Sequence, residues 1–238
     1  MTDYGSAGER ITAIREKIAA AAQHSGRKAE TVKIMAVTKF HPAAAVRAAY
    51  KAGIRLFGEN RVQEAEGKYS EALRSELPGI ELDMIGNLQS NKINKALALF
   101  DGIQSVSSLG LLQTIASKAK PIRLYLELHT AEDSKSGFSD ERELFSAVEA
   151  YARIMEDQKG AAGIRLAGLM TMAPFTGEEA SIRASFCELR RVFEAVRQRF
   201  ALPGFEELSM GMSGDYEIAV EEGSTLVRIG TAIFGERQ

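Results

Sequence analysis

The segment at residues 32–40, VKIMAVTKF, carries a primary amine, Lys39, at the end of a short apolar run rich in β-branched residues. A lysine held in apolar surroundings loses its preference for the charged form, and its amine becomes usable as a nucleophile. Taken alone, Lys39 reads first as a residue that ends a strand and points into water; the rest of the chain reverses that. Two distant segments add to it. Ser213-Gly214 and Gly230-Thr231 bring hydroxyls, small residues and backbone N–H groups ahead of helical sequence, a combination that can receive an anion. Either loop alone is an ordinary helix cap or glycine turn; the two together point to a phosphate. Arg228 lies two residues before Gly230, on the opposite strand face from Val227 and Ile229. It either pairs with a neighbouring strand or faces a ring nitrogen, where a permanent guanidinium charge disfavours ring protonation. An amine, a phosphate cradle and a fixed cation suit an aldehyde that carries a phosphate. Pyridoxal 5'-phosphate fits, its aldehyde forming a Schiff base with the lysine.

These residues need a scaffold, and the sequence pattern supplies one. An amphipathic helix at 10–23, with Ile11, Ile14 and Ile18 at helical spacing, precedes the first strand, which ends at Lys39. Pro42 opens a helix continuing over 43–52 to Gly53. Further strands are predicted at 55–57, 82–85, 102–106, 122–128, 164–170, 207–210 and 225–229. Helices are predicted at 61–73, 92–99 (capped by Ser90 or Asn91), from Ser107-Ser108 onward, at 141–155 behind Asp140, at 178–200 and at 215–221. Strict alternation implies a parallel sheet, and eight such units in 238 residues imply an α/β fold, a single (β/α)8 TIM-type barrel with an extra N-terminal helix, spanning 1–238. A doubly wound open sheet would normally carry a Gly-rich fingerprint after its first strand, where this chain has KFHP.

Barrel active sites lie at the carboxyl ends of the strands, with phosphate sites in the last two loops. The residues at those ends are Lys39, Asn60, Asn87, Ser107, Met170-Thr171, Ser213-Gly214 and Gly230-Thr231. Glu59 is the clear carboxylate among them, and Asp83 falls inside the third strand.

Composition narrows the function classes. A formal net charge of −2 gives no reason to expect a nucleic-acid or anionic-membrane partner. No apolar run approaches a membrane span, and the N-terminus lacks a secretory pattern, so a cytoplasmic location is expected. The single cysteine, Cys187, follows Phe186 in a helical pattern and reads as a small core residue. His24, His41 and His129 have no metal-ligand spacing, so no metal site is expected.

The blocks IMAVTK, RLFGENRVQE, MIGNLQSNK, GLMTMAP and LSMGMSGDYEIAVEEGSTLVRIGTAIFGER together resemble the pyridoxal phosphate homeostasis protein family, in order and over nearly the whole chain. That family is similar to the barrel domain of alanine racemase. The resemblance implies pyridoxal phosphate on Lys39, Asn60 near the cofactor face, Ser213 and the Gly230-Thr231 backbone on the phosphate, and Arg228 near the ring nitrogen. Gly214 belongs to the same phosphate loop. It also implies a monomer that binds, buffers and hands over the cofactor, with apoenzymes as recipients. Two departures stand out: Leu82-Asp83-Met84 where the family often has an aromatic and a histidine, and His129-Thr130 ahead of the SKSG loop. Lys135 in that loop reads as a surface charge or as a phosphate or partner contact.

Three functions compete. The first is a cofactor-binding regulator without turnover. The second is a racemase or lyase, which needs two bases suited to proton transfer. Lys39 is one; among the six tyrosines only Tyr216 begins a helix after a strand end. The third is a sugar-phosphate enzyme, which would need paired carboxylates at strand ends.

Overall fold

The computed structural model describes residues 4–118, 120–130, 136–156, 163–175 and 177–236. Short apolar runs give strands β1 (Lys33–Val37), β2 (Leu56–Glu59), β3 (Glu81–Met84), β4 (Gly102–Val106), β5 (Ile122–Glu127), β6 (Ile164–Met170), β7 (Glu207–Ser209) and β8 (Leu226–Ile229). All eight are parallel and follow chain order around a closed barrel, β8 pairing back onto β1 with Met35 opposite Arg228.

Helices cover the outside. α1 (Ala7–His24) precedes β1, and α2 (Ala43–Lys51) follows it. α3 (Val62–Lys68) and α4 (Glu71–Glu76) follow β2, α5 (Ile93–Leu99) follows β3, and α6 (Leu109–Ala116) follows β4. α7 (Glu141–Glu156), α8 (Glu179–Phe200), α9 (Tyr216–Glu221) and α10 (Thr231–Phe234) complete the ring. Alternation along the strands separates two apolar layers. Val227, Ile229, Phe57 and Leu82 face the helices, while Met35, Tyr125, Ala167, Met170 and Leu226 fill the lumen.

Several boundaries differ from the sequence reading. The first strand stops at Val37, so Lys39 stands two residues beyond it. Pro42 occupies the cap position of α2 rather than its first turn. The helix predicted at 61–73 is two helices, because the Ser70 hydroxyl accepts from the Leu73 N–H and starts α4 afresh. α5 begins behind a 3-10 turn, Ser90–Lys92, with Lys92 rather than Ser90 or Asn91 at its cap. The Ser108 and Asp140 caps form as expected, accepting from the N–H groups of Leu111 and Glu143. Cys187 is exposed, not in the core. The buried stripe of α8 runs Ile182, Ser185, Phe186, Leu189, Val192, Phe193, Val196, and Cys187 lies off it with its thiol donating to Glu222 at 2.9 Å.

Candidate functional site

At the carboxyl mouth of the barrel lies a cavity of about 810 Å³, within the size range of small-molecule sites. Lys39, Asn60, Ser213, Gly214, Arg228, Gly230 and Thr231 all line it. Seven residues from four loops, a strand and the start of α10 thus meet on one space. Of the other strand-end residues, Asn87 and Met170 line the cavity too, whereas Ser107 does not. Thr171 is buried beneath it, its hydroxyl donating to the Leu128 carbonyl at 2.8 Å. Met172 and Phe175 stand exposed at the rim.

Lys39 is half-buried in the loop between β1 and α2. Asn60 directly follows β2, and its backbone lies so close to Gly86 that a Cβ on Gly86 would come within 2.3 Å of the Asn60 carbonyl oxygen. A glycine is therefore what lets the β2 and β3 ends approach. In the last two loops the Ser213 hydroxyl accepts from the backbone N–H groups of Gly230, at 3.3 Å, and Ala232, at 3.1 Å. That bond ties the two loops into one rim. The Met212 N–H meets the Asp215 carboxylate at 2.5 Å, fixing the turn that presents Ser213 and Gly214.

Arg228 is only 4% exposed, and no carboxylate bridges it among the described residues. It donates instead to the Ser209 hydroxyl at 2.7 Å and to the Thr171 carbonyl at 2.8 Å. Burial lowers its pKa to about 10, against the pull of Asp215 and Glu127, so it remains a cation at neutral pH. Ser209 passes the chain on, donating to Gln104 at 2.6 Å, and Gln104 donates to Asp83 at 2.8 Å. Arg123 then donates to Asp83 at 2.9 Å. A buried polar line thus runs down the lumen from Arg228 and locks its orientation. Asp83, the departure noted in the third strand, is the acceptor in which this line converges.

Two carboxyl groups in the cavity wall went unread in the sequence. Glu127 ends β5 and is 3% exposed, accepting from Ser136 at 2.6 Å; Asp215 lines the cavity beside Gly214. Burial raises the pKa of both. The strand-end position of Glu127 was a usable signal; for Asp215 there was none beyond its place in the loop. Glu59, the carboxylate singled out by position, is fully buried and directed toward Thr38 and Lys68. Tyr216 is buried in the outer apolar layer and does not line the cavity. Lys135 lies outside the described residues. Among those described, no group of three His, Cys, Asp or Glu side chains is placed to hold a metal ion.

A second cavity, of about 560 Å³, opens at the opposite, amino-terminal mouth. Its charged groups largely pair with one another, Lys33 with Glu207 at 3.2 Å and Arg123 with Glu81. In barrels of this kind that mouth serves stability rather than chemistry.

Fold and site define a barrel of the alanine racemase N-terminal-domain class, and that family matches residues 10–238. Over 234 residues the chain is 39% identical to the pyridoxal phosphate homeostasis protein of Pseudomonas aeruginosa, covering 96% of this chain and 95% of the relative. The chain belongs to the pyridoxal phosphate homeostasis protein family. The structure of PipY from Synechococcus elongatus with PLP bound is similar at 34% identity and a TM-score of 0.81, covering 96% of this chain and all (100%) of that one. Alanine racemase from Corynebacterium glutamicum shares the fold, with a TM-score of 0.68 at 19% identity, over 95% of this chain and 61% of that enzyme.

Proposed function

We propose that this chain binds pyridoxal 5'-phosphate as a Schiff base on Lys39 and serves in cofactor homeostasis, holding and releasing the cofactor without turnover. One observation carries the reading: an amine, a buried guanidinium and a rim of hydroxyl and backbone N–H groups line one cavity of suitable size. The donor set fits the cofactor, with cationic and neutral donors for an anionic phosphate and a phenolic, weakly basic ring. When bound, the cofactor supplies an aldehyde carbon to which the lysine amine adds, the carbonyl oxygen leaving as water. Arg228, held by Ser209 and Thr171, presents a fixed positive charge to the ring nitrogen and keeps a proton off it. Ser213, Gly214, Gly230 and Thr231 hold the phosphate, and Asn60 contacts the ring face. The single barrel spans the chain and acts as a cytoplasmic monomer, with apoenzymes receiving the cofactor.

Reduction of the yellow protein with borohydride, followed by peptide mass mapping, tests this. The adduct is expected on Lys39; a colourless protein that stays unlabelled in added pyridoxal phosphate overturns it. A racemase or lyase is the competing reading, favoured by Glu127, a second titratable group in the same cavity as Lys39. It requires exchange of an amino-acid α-proton in heavy water, and no exchange with any common amino acid removes it.

A further inference from the structure

The loop that carries Lys39 is held in an unfavourable shape. Phe40 has φ +66°, a left-handed conformation that a bulky L-residue adopts only where its surroundings enforce it. The His41 N–H donates to the Thr38 carbonyl at 3.0 Å, closing a turn with Phe40 in its third position, and a largely buried cluster from the next βα unit grips that turn. The Phe40 N–H meets the Glu64 carboxylate at 2.5 Å. The Lys68 ammonium, its side chain 8% exposed, donates to the Thr38 carbonyl at 2.6 Å, to Glu59 at 2.7 Å and to Glu64 at 3.1 Å. An ammonium has three protons to donate, and each meets an acceptor here. The Thr38 hydroxyl is gripped as well, by Glu59 at 2.6 Å and by Tyr69 at 2.7 Å.

The peptide groups on both sides of Lys39 are therefore fixed. Lys68 holds the carbonyl before it, and Glu64 holds the N–H after it. Glu59, fully buried with one carboxylate oxygen unpartnered, is tolerated because Lys68 lies against it. None of the three groups lines the cavity, so they have no direct part in binding. We infer that Lys68, with Glu59 and Glu64, is a positioning cluster that sets the backbone of the Thr38–Phe40 loop and so aims the Lys39 amine into the cavity. This rests on the reading that Lys39 carries the cofactor.

The test follows the rate at which a borohydride-trappable Lys39 adduct forms with excess pyridoxal phosphate, together with the visible circular dichroism of the bound cofactor. Far-UV circular dichroism reports the fold. Lys68→Met and Glu64→Ala are expected to slow adduct formation about tenfold or more, as small misplacements of a reacting group do, and to change the visible band. Glu64→Gln, which keeps an acceptor for the Phe40 N–H, is expected to stay near wild type. A merely structural cluster would lower thermal stability and leave rate and band unchanged in folded variants, which overturns the proposal. If Lys68→Met does not fold, the Glu64 pair decides, and equal rates for Ala and Gln overturn it. A wild-type adduct mapped away from Lys39 would instead overturn the underlying site reading.

Discussion

Arg228 shows what a single residue contributes when its surroundings are arranged for it. A guanidinium inside a barrel is costly unless its donors are met, and Ser209 and Thr171 meet them without neutralising the charge. Glu127 sits across the same cavity under the opposite pressure, its pKa raised first by burial, with Ser136, Arg228 and His129 pulling it down. A carboxyl group raised in the folded state binds its proton more tightly there than in the unfolded chain, so its ionised form opposes folding. That cost is present in full above the folded pKa and vanishes as pH falls to the ordinary glutamate value. Glu127→Gln is accordingly expected to be more stable than wild type at pH 7, with the difference closing on acidification. Chemical denaturation at a series of pH values checks this, and a gap that widens toward low pH would contradict it. Lys39 was legible because it closes an apolar run, and Arg228 because it interrupts one. Glu127 also stood at a strand end, but a glutamate before a polar loop looks the same whether it faces water or a cavity.

At the scale of elements, the strand order could be read because each strand is a local apolar run and each helix a local amphipathic one. The close approaches between strands could not. A Cβ on Gly168 would lie 1.7 Å from the Glu207 carbonyl oxygen, where β6 meets β7. Gly168→Ala must push the two strands apart, and overpacking of backbone against backbone is expected to cost about 3 kcal/mol or more. A thermal midpoint lowered by roughly 10 °C follows for a chain of this size; a midpoint within error of wild type would show that the pair opens freely. The split between α3 and α4 has the same local origin as any cap. Ser70 competes for a backbone N–H, and periodicity alone does not register that competition.

The whole molecule is closed by contacts between the two ends of the chain. Arg27, just past α1, donates to the carbonyls of Val220 at 2.8 Å and Ser224 at 2.9 Å, and Arg10 donates to Ile233 at 3.1 Å. The first helix is thus tied to the last two βα units, by Arg10 beside α10 and by Arg27 at the opposite end of the barrel, where α9 ends and β8 begins. Arg27→Ala removes the side-chain donor from both carbonyls, of which Val220 keeps the Gly223 N–H at 3.1 Å, a loss of about 1–3 kcal/mol. The thermal midpoint should fall by about 2–4 °C for each kcal/mol, and an unchanged midpoint would mean that α1 packing and the Arg10 bond join the ends without help from Arg27.

The sequence by itself determined the number and order of the strands and the parallel barrel, because hydrophobic period is a local property; strand-end position drew in Ser107 and Thr171 as well, which do not line the cavity, and the phosphate-loop pattern and the family resemblance set the seven residues apart from them. Tertiary structure alone decided the rest. It placed Asp83, Gln104 and Ser209 in one line behind Arg228, it turned Glu59 away from the cavity and onto Lys68, and it left Cys187 on the outside of α8. Those outcomes depend on barrel register and on which helix face meets the sheet. Both are fixed only when strands far apart in the chain pair, and a two-residue period cannot by itself say which side becomes the lumen.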